Sequence, residues 1–119
     1  MKSITCVVVP VRAKPYVKEI PDALPELQAI VGGYIEVLRL TDNLLLLCDE
    51  DAKLKGSVGN RRIGEEIIAG QFIVVGDGGE TFTSLNKYET AAMLGRFSVP
   101  EEISPQEVED SCKLTFSEW

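Results

Sequence analysis

Apolar residues cluster, alternate or recur at helical spacing in stretches that divide the chain into elements. Ser3-Ile4-Thr5-Cys6-Val7-Val8-Val9 is rich in β-branched residues and has an unbroken apolar centre, which predicts a strand covered on both faces. Pro10 and Pro15 bracket a loop. Residues 16–20 read as a second short strand, the return arm of a hairpin, stopped by Pro21. Leu24, Leu27, Ile30 and Val31 form one apolar stripe on a short helix, begun at Asp22 or Pro25 and ended by Gly32. Two adjacent glycines, Gly32 and Gly33, suit the reversal into the next strand, because one can take the left-handed conformation that closes a helix. Residues 34–40 and 44–48, separated by Thr41-Asp42-Asn43, predict a second hairpin. Its arm Leu44-Leu45-Leu46-Leu47 has no alternation and is expected to be central in the sheet.

The second half of the chain is less regular. Residues 56–64 carry three glycines, Asn60, Arg61 and Arg62, and read as an irregular polar loop. Residues 65–69 suggest a helical turn, closed by Gly70. Gln71-Phe72-Ile73-Val74-Val75 is a strand, residues 76–80 a turn, and Thr81-Phe82-Thr83 a short strand pairing back. Ser84 is expected to cap a helix over residues 85–95, with Leu85, Tyr88, Ala92 and Met93 on its buried face. Ser104-Pro105-Gln106-Glu107 has the pattern of a capping box and opens a last helix running to about Lys113. Val108 and Cys112 share one face of that helix, and Phe116 and Trp119 are expected to pack against the body. Together these elements predict an α+β fold, a mainly antiparallel sheet of about five to six strands with two to three helices packed on it. Residues 1–99 form the core domain, and residues 100–119 an acidic helical extension packed on the same domain.

Composition limits what such a fold can do. With 119 residues there is room for one domain and one hydrophobic core. The net charge is −7, and residues 100–119 carry most of it, with six carboxylates against Lys113. Phosphate neutralisation needs the opposite balance, so direct nucleic-acid binding is not expected. No apolar run approaches the length of a membrane span, and the first strand lacks the flanks of a signal peptide, so a cytoplasmic protein with no membrane association is expected.

Cys6, Cys48 and Cys112 are widely spaced, with no C-x-x-C pair, and the chain has no histidine. No metal site, cofactor or His-dependent catalysis is therefore expected, and Cys6 and Cys48 read as buried reduced thiols. Asp49-Glu50-Asp51 lacks the glycine and the distal glutamate of a calcium loop. Gly76-Asp77-Gly78-Gly79 lacks the lysine and following helix of a phosphate loop and reads as a hairpin turn. No nucleophile with a partner base stands out, so a non-enzymatic role is expected. The candidate site that remains is Gly32, Gly33, Tyr34 and Glu36 with Asn60, Arg61 and Arg62. Arginine forks and glycine-exposed N–H groups hold anions, and Tyr34 could stack on a planar base. The plain structural alternative is that Glu36 pairs with one arginine and the glycines serve geometry alone.

The run Val31-Gly32-Gly33-Tyr34-Ile35-Glu36, then Asp49-Glu50 with Lys53-Leu54 and Gly56, then Asn60-Arg61, then Ile68-Ala69-Gly70 before Phe72-Ile73-Val74-Val75-Gly76, resembles a family of small domains of unknown function. The resemblance covers roughly residues 4–97. That family's pattern usually has asparagine where this chain has Asp49, and the acidic segment after Phe97 lies outside the match. The resemblance implies a gene of phages, plasmids and Firmicute genomes, and such genes often encode proteins that block host defences.

Three functions follow as expectations. The first is a binding protein for a small anionic, nucleotide-like ligand, countering host defence. The second is an acidic protein-interaction module that inhibits a host protein through its C-terminal helix. The third is a structural accessory subunit, for which a homo-oligomer is a natural form.

Overall fold

The computed structural model describes the backbone of residues 2–116 and the side chains of residues 2–111. The expected positions of Cys112, Phe116 and Trp119 lie outside the described side chains. Eight strands and three helices follow in the order β1 (Ser3–Val9), β2 (Tyr16–Pro21), α1 (Leu24–Val31), β3 (Ile35–Arg39), β4 (Leu44–Asp49), β5 (Gly59–Ile63), β6 (Glu66–Ala69), β7 (Phe72–Asp77), β8 (Phe82–Thr83), α2 (Lys87–Arg96) and α3 (Pro105–Phe116). The fold is α+β: a six-stranded antiparallel sheet, a separate two-stranded sheet and three helices.

The main sheet runs β2-β1-β7-β4-β3, with β8 paired to the far end of β7. Its central strands are the apolar runs β1, β4 and β7, as their lack of alternation predicts. Within β4, Leu44, Leu46 and Cys48 face one side and Leu45 and Leu47 the other. The first side is covered by α2 and the β5-β6 hairpin through Met93, Phe97 and Ile68. The second is covered by α1 through Leu27 and Val31. The hairpin's outer side, at Ile67 and Ala69, meets Ile103 and Val108 of the C-terminal segment, so α3 packs on the same body.

Several local expectations are corrected. Asp22 does not cap α1: its backbone belongs to the end of the β1-β2 ladder, where its N–H donates to the Lys2 carbonyl, and Pro25 lies in the first turn, as the other expected start had it. Ala23 takes the N-cap position, and Leu24 is exposed rather than on the buried stripe. Gly32 closes the helix at φ 92°, a conformation that glycine adopts at no steric cost. The start of α2 is Asn86, not Ser84: Asn86 and Glu89 form a reciprocal capping box, while the Ser84 hydroxyl accepts from the Thr5 N–H. Tyr88 and Ala92 point to solvent, and Met93 is the buried residue of that helix.

Residues 56–69 depart most from expectation. The loop and helical turn are a hairpin, β5 and β6, joined by a tight turn at Gly64 and Glu65. Gly64 lies at φ 60°, which suits a glycine-first hairpin turn. The register shifts between Gly59 and Arg61, so Asn60 is the extra residue of a bulge. Perfect alternation would bury only one of Asn60 and Arg61; the bulge buries both.

Candidate functional site

The sequence-predicted anion site is not assembled. Arg61 is 1% exposed. Its Nη1 donates to the Asn60 carbonyl (3.2 Å) and Oδ1 (2.7 Å), and its Nη2 to the carbonyls of Ala13 (2.8 Å) and Phe97 (2.9 Å). Its two terminal nitrogens are therefore spent on backbone carbonyls and the Asn60 amide, tying β5 to the loop after β1 and to the end of α2, while Nε is buried without a hydrogen-bond partner. Burial lowers its pKa from the usual arginine value, partly offset by Glu101. Phe97 caps the C-terminus of α2, where carbonyl dipoles favour a cation. The Asn60 amide donates to Val9 O (2.8 Å) and Gly70 O (2.9 Å), so it too is internal.

Arg62 points the other way, to the surface, as the next residue of a strand must. It pairs with Glu101 at 2.9 Å and with Glu107 of α3. The acidic C-terminal segment is thus clamped to β5 by a side chain expected to bind ligand. Arg12 adds a looser contact to Glu102 at 3.8 Å.

The glycine doublet serves geometry. Gly33 abuts the Asp49 side chain: a Cβ there would stand 2.7 Å from Asp49 Oδ1. Asp49 is buried and accepts from the Asp51 N–H at 2.9 Å while Lys55 pairs with it. Lys55 also donates to the Gly32 carbonyl at 3.0 Å. Burial alone would raise the Asp49 pKa, but the Lys55 ammonium and the Asp51 N–H hold it below the usual carboxylate value. Tyr34 is 69% exposed, beside a shallow hollow with Gln28, Gly33, Asp51 and Lys55. Neither Arg61 nor Arg62 lines it.

Glu36 belongs elsewhere. It lies on the same face of the sheet as Leu38, Leu46 and Cys48, and borders a cleft of about 450 Å³ between the β3-β4 hairpin and β6. The floor is apolar, from Leu38, Cys48, Ala52 and Ile68. The rim carries Glu36, Glu50 and Glu66, all exposed, against one cation, Lys53. Lys53 is already paired with Glu66 at 3.7 Å. Among the described residues neither Glu36 nor Glu50 makes an ion pair. Every cation near the expected site is committed, whereas two cleft carboxylates are unspent.

The Cys48 thiol is pushed up to about 12, by burial first and then by the charges of Glu36 and Asp49, so it stays protonated at neutral pH. Among the described residues no group of three or more His, Cys, Asp or Glu could hold a metal ion. No helix is long and apolar enough to cross a membrane among these residues.

Sequence reasoning singled out Glu36 but missed Glu50 and Glu66. Glu50 was visible only as part of a turn, and Glu66 was hidden by reading residues 65–69 as helical. The signal lay in two glycines, Gly64 and Gly70, bounding a short β-branched run.

The family model described as "Domain of unknown function (DUF3846)" matches residues 1–98. No curated protein and no solved structure matches the chain.

Proposed function

The chain belongs to the DUF3846 family, whose description names no activity, and from the charge and shape of its cleft we propose that it is a non-catalytic module binding a basic segment of another protein. The observation that carries this reading is the pair of unspent carboxylates, Glu36 and Glu50, on the rim of an apolar-floored cleft. Such a cleft suits the stem and head of a lysine or arginine, whose methylenes cover apolar surface while the charge meets a carboxylate. A small anionic ligand has no comparable support, since Arg61 is enclosed and Arg62 and Lys55 are paired. The C-terminal helix is a weaker docking surface than the cleft, because Arg62 already engages Glu101 and Glu107. The mobile-element setting implied by the resemblance supports a host protein as the partner, held or inhibited by contact.

The test is titration calorimetry with lysine- and arginine-containing peptides against the protein and its Glu36→Gln/Glu50→Gln variant. Binding should weaken in the variant and with added salt, as solvent-exposed charge pairs at a rim do. Peptide affinity that ignores both changes would remove the cleft as the site.

A further inference from the structure

A strand edge is the part of a sheet with hydrogen bonds still to make, and this sheet ends on β2 and β3. Which residues point outward follows from the register. On one side, the Asp22 N–H donates to Lys2 O, and the pairs Ile20 with Ile4 and Lys18 with Cys6 keep the same phase. The free edge of β2 is therefore made by Val17, Glu19 and Pro21. Pro21 has no N–H, and Glu19 beside Lys18 places charge along that edge, so it is guarded against strand addition.

The β3 edge has no proline, and its charged outward residue, Arg39, has its side chain drawn to Asp77 at 2.7 Å and to the Asp42 carbonyl at 2.9 Å. The Glu50 N–H donates to Tyr34 O and the Leu40 N–H to Leu44 O, which brackets the ladder with β4. Glu36 and Leu38 then bond inward, and Ile35, Val37 and Arg39 direct N–H and C=O outward. Val37, at the centre, is 48% exposed. The side chains divide just as clearly: Glu36 and Leu38 face the acidic cleft, whereas Ile35 and Val37 face the α1 side.

We propose that an extended segment of the partner adds to β3 as a seventh strand, with basic side chains beside Glu36 and apolar ones beside Val37. The proposal rests on the reading of the cleft as a site for a basic segment, and adds how that segment is held. Backbone pairing at residues 35, 37 and 39 supplies affinity indifferent to sequence. The cleft selects: a residue on its side of the added strand meets the Glu36 carboxylate with Glu50 behind it, while its neighbour on the other side meets Val37. The ligand class is thus an extended peptide alternating lysine or arginine with β-branched residues.

The probes are synthetic peptides of about seven residues alternating Lys and Val, used unmodified and N-methylated in each of the two alternate phases. Titration against the full chain should show binding of the unmodified peptide and of one methylated phase, with the other phase weakened at least about tenfold. Val37→Pro should weaken the unmodified peptide similarly, since it removes an outward N–H and leaves the β4 ladder intact. Circular dichroism checks that this variant folds, and the methylated peptides decide the matter if it does not. Equal binding of both methylated phases, with loss in Glu36→Gln, would overturn strand addition and leave the cleft reading standing. No binding of any peptide at about 1 mM would overturn both. A dimer in sedimentation that Val37→Pro turns into a monomer, without peptide binding, would give the edge to a second copy and also overturn the proposal.

Discussion

Gly33 and Asp49 are fitted to each other: the space that a side chain at residue 33 would occupy holds the Asp49 carboxylate, 2.7 Å from the position of a Cβ. The carboxylate is pinned by Lys55 and by the Asp51 N–H, so it cannot swing aside without giving up those contacts. Gly33→Ala should therefore cost about 1–3 kcal/mol of stability, measured by urea denaturation. Combined with Asp49→Ala, the loss should be less than the sum of the single losses, because the second change empties the contested space.

The same carboxylate makes stability depend on acid. Its folded pKa lies below the unfolded one, so its contribution is fully present above the unfolded value and disappears as pH falls through the folded value. Asp77, held down by Arg39 and the Gly79 N–H, acts in the same sense. Melting temperature should hold steady near neutrality and drop below about pH 4. The drop should be shallower in Asp49→Asn, measured against wild type by thermal melts across pH.

Arg61 and Arg62 are neighbours with opposite fates, and their substitutions should separate. Arg61→Ala strands four carbonyl acceptors and a cavity in the interior, a loss of about 3 kcal/mol or more. Arg61→Lys should recover only part, since one ammonium cannot reach every carbonyl that the fork spans. Arg62→Ala should leave the melt of the core close to wild type and loosen α3, seen as faster amide exchange in residues 106–111.

Cys6 and Cys48 should be silent to thiol reagents in the folded protein. Burial raises the Cys6 pKa to about 11, opposed slightly by Lys18, and Cys48 lies at about 12. In a Cys112→Ser background, a disulfide reagent at pH 8 should label no thiol until denaturant is added, and then label two.

The sheet was legible because its central strands obey simple rules. Residues 44–48 and 72–75 are apolar without a break, and Gly32 ends a helix where a glycine should. The hairpin at residues 59–69 was not legible, because its key residues break the expected code. Asn60 and Arg61 look like solvent-facing polar residues, yet backbone carbonyls from distant segments pay their desolvation. No single-sequence pattern announces that Val9, Ala13, Gly70 and Phe97 will converge on them. The site suffered likewise: Glu36 was visible as a charge on a strand, but its cleft needs Glu50 and Glu66 from segments whose placement depends on that hairpin.

The bulge at Asn60 has an evolutionary corollary. Because the extra position is what seats the Asn60 amide beside Arg61 without disturbing the Gly59–Ala69 and Arg61–Ile68 pairs, the number of residues between Gly59 and Arg62 matters as much as their chemistry. Deleting the codon for Asn60 would keep Arg61 opposite Ile68 but remove the amide that accepts from its Nη1 and donates to the Val9 and Gly70 carbonyls, whereas an insertion at the exposed turn of Gly64 and Glu65 would only lengthen a loop. Homologues that differ in length should carry their gaps at the turn and keep the spacing of the bulge.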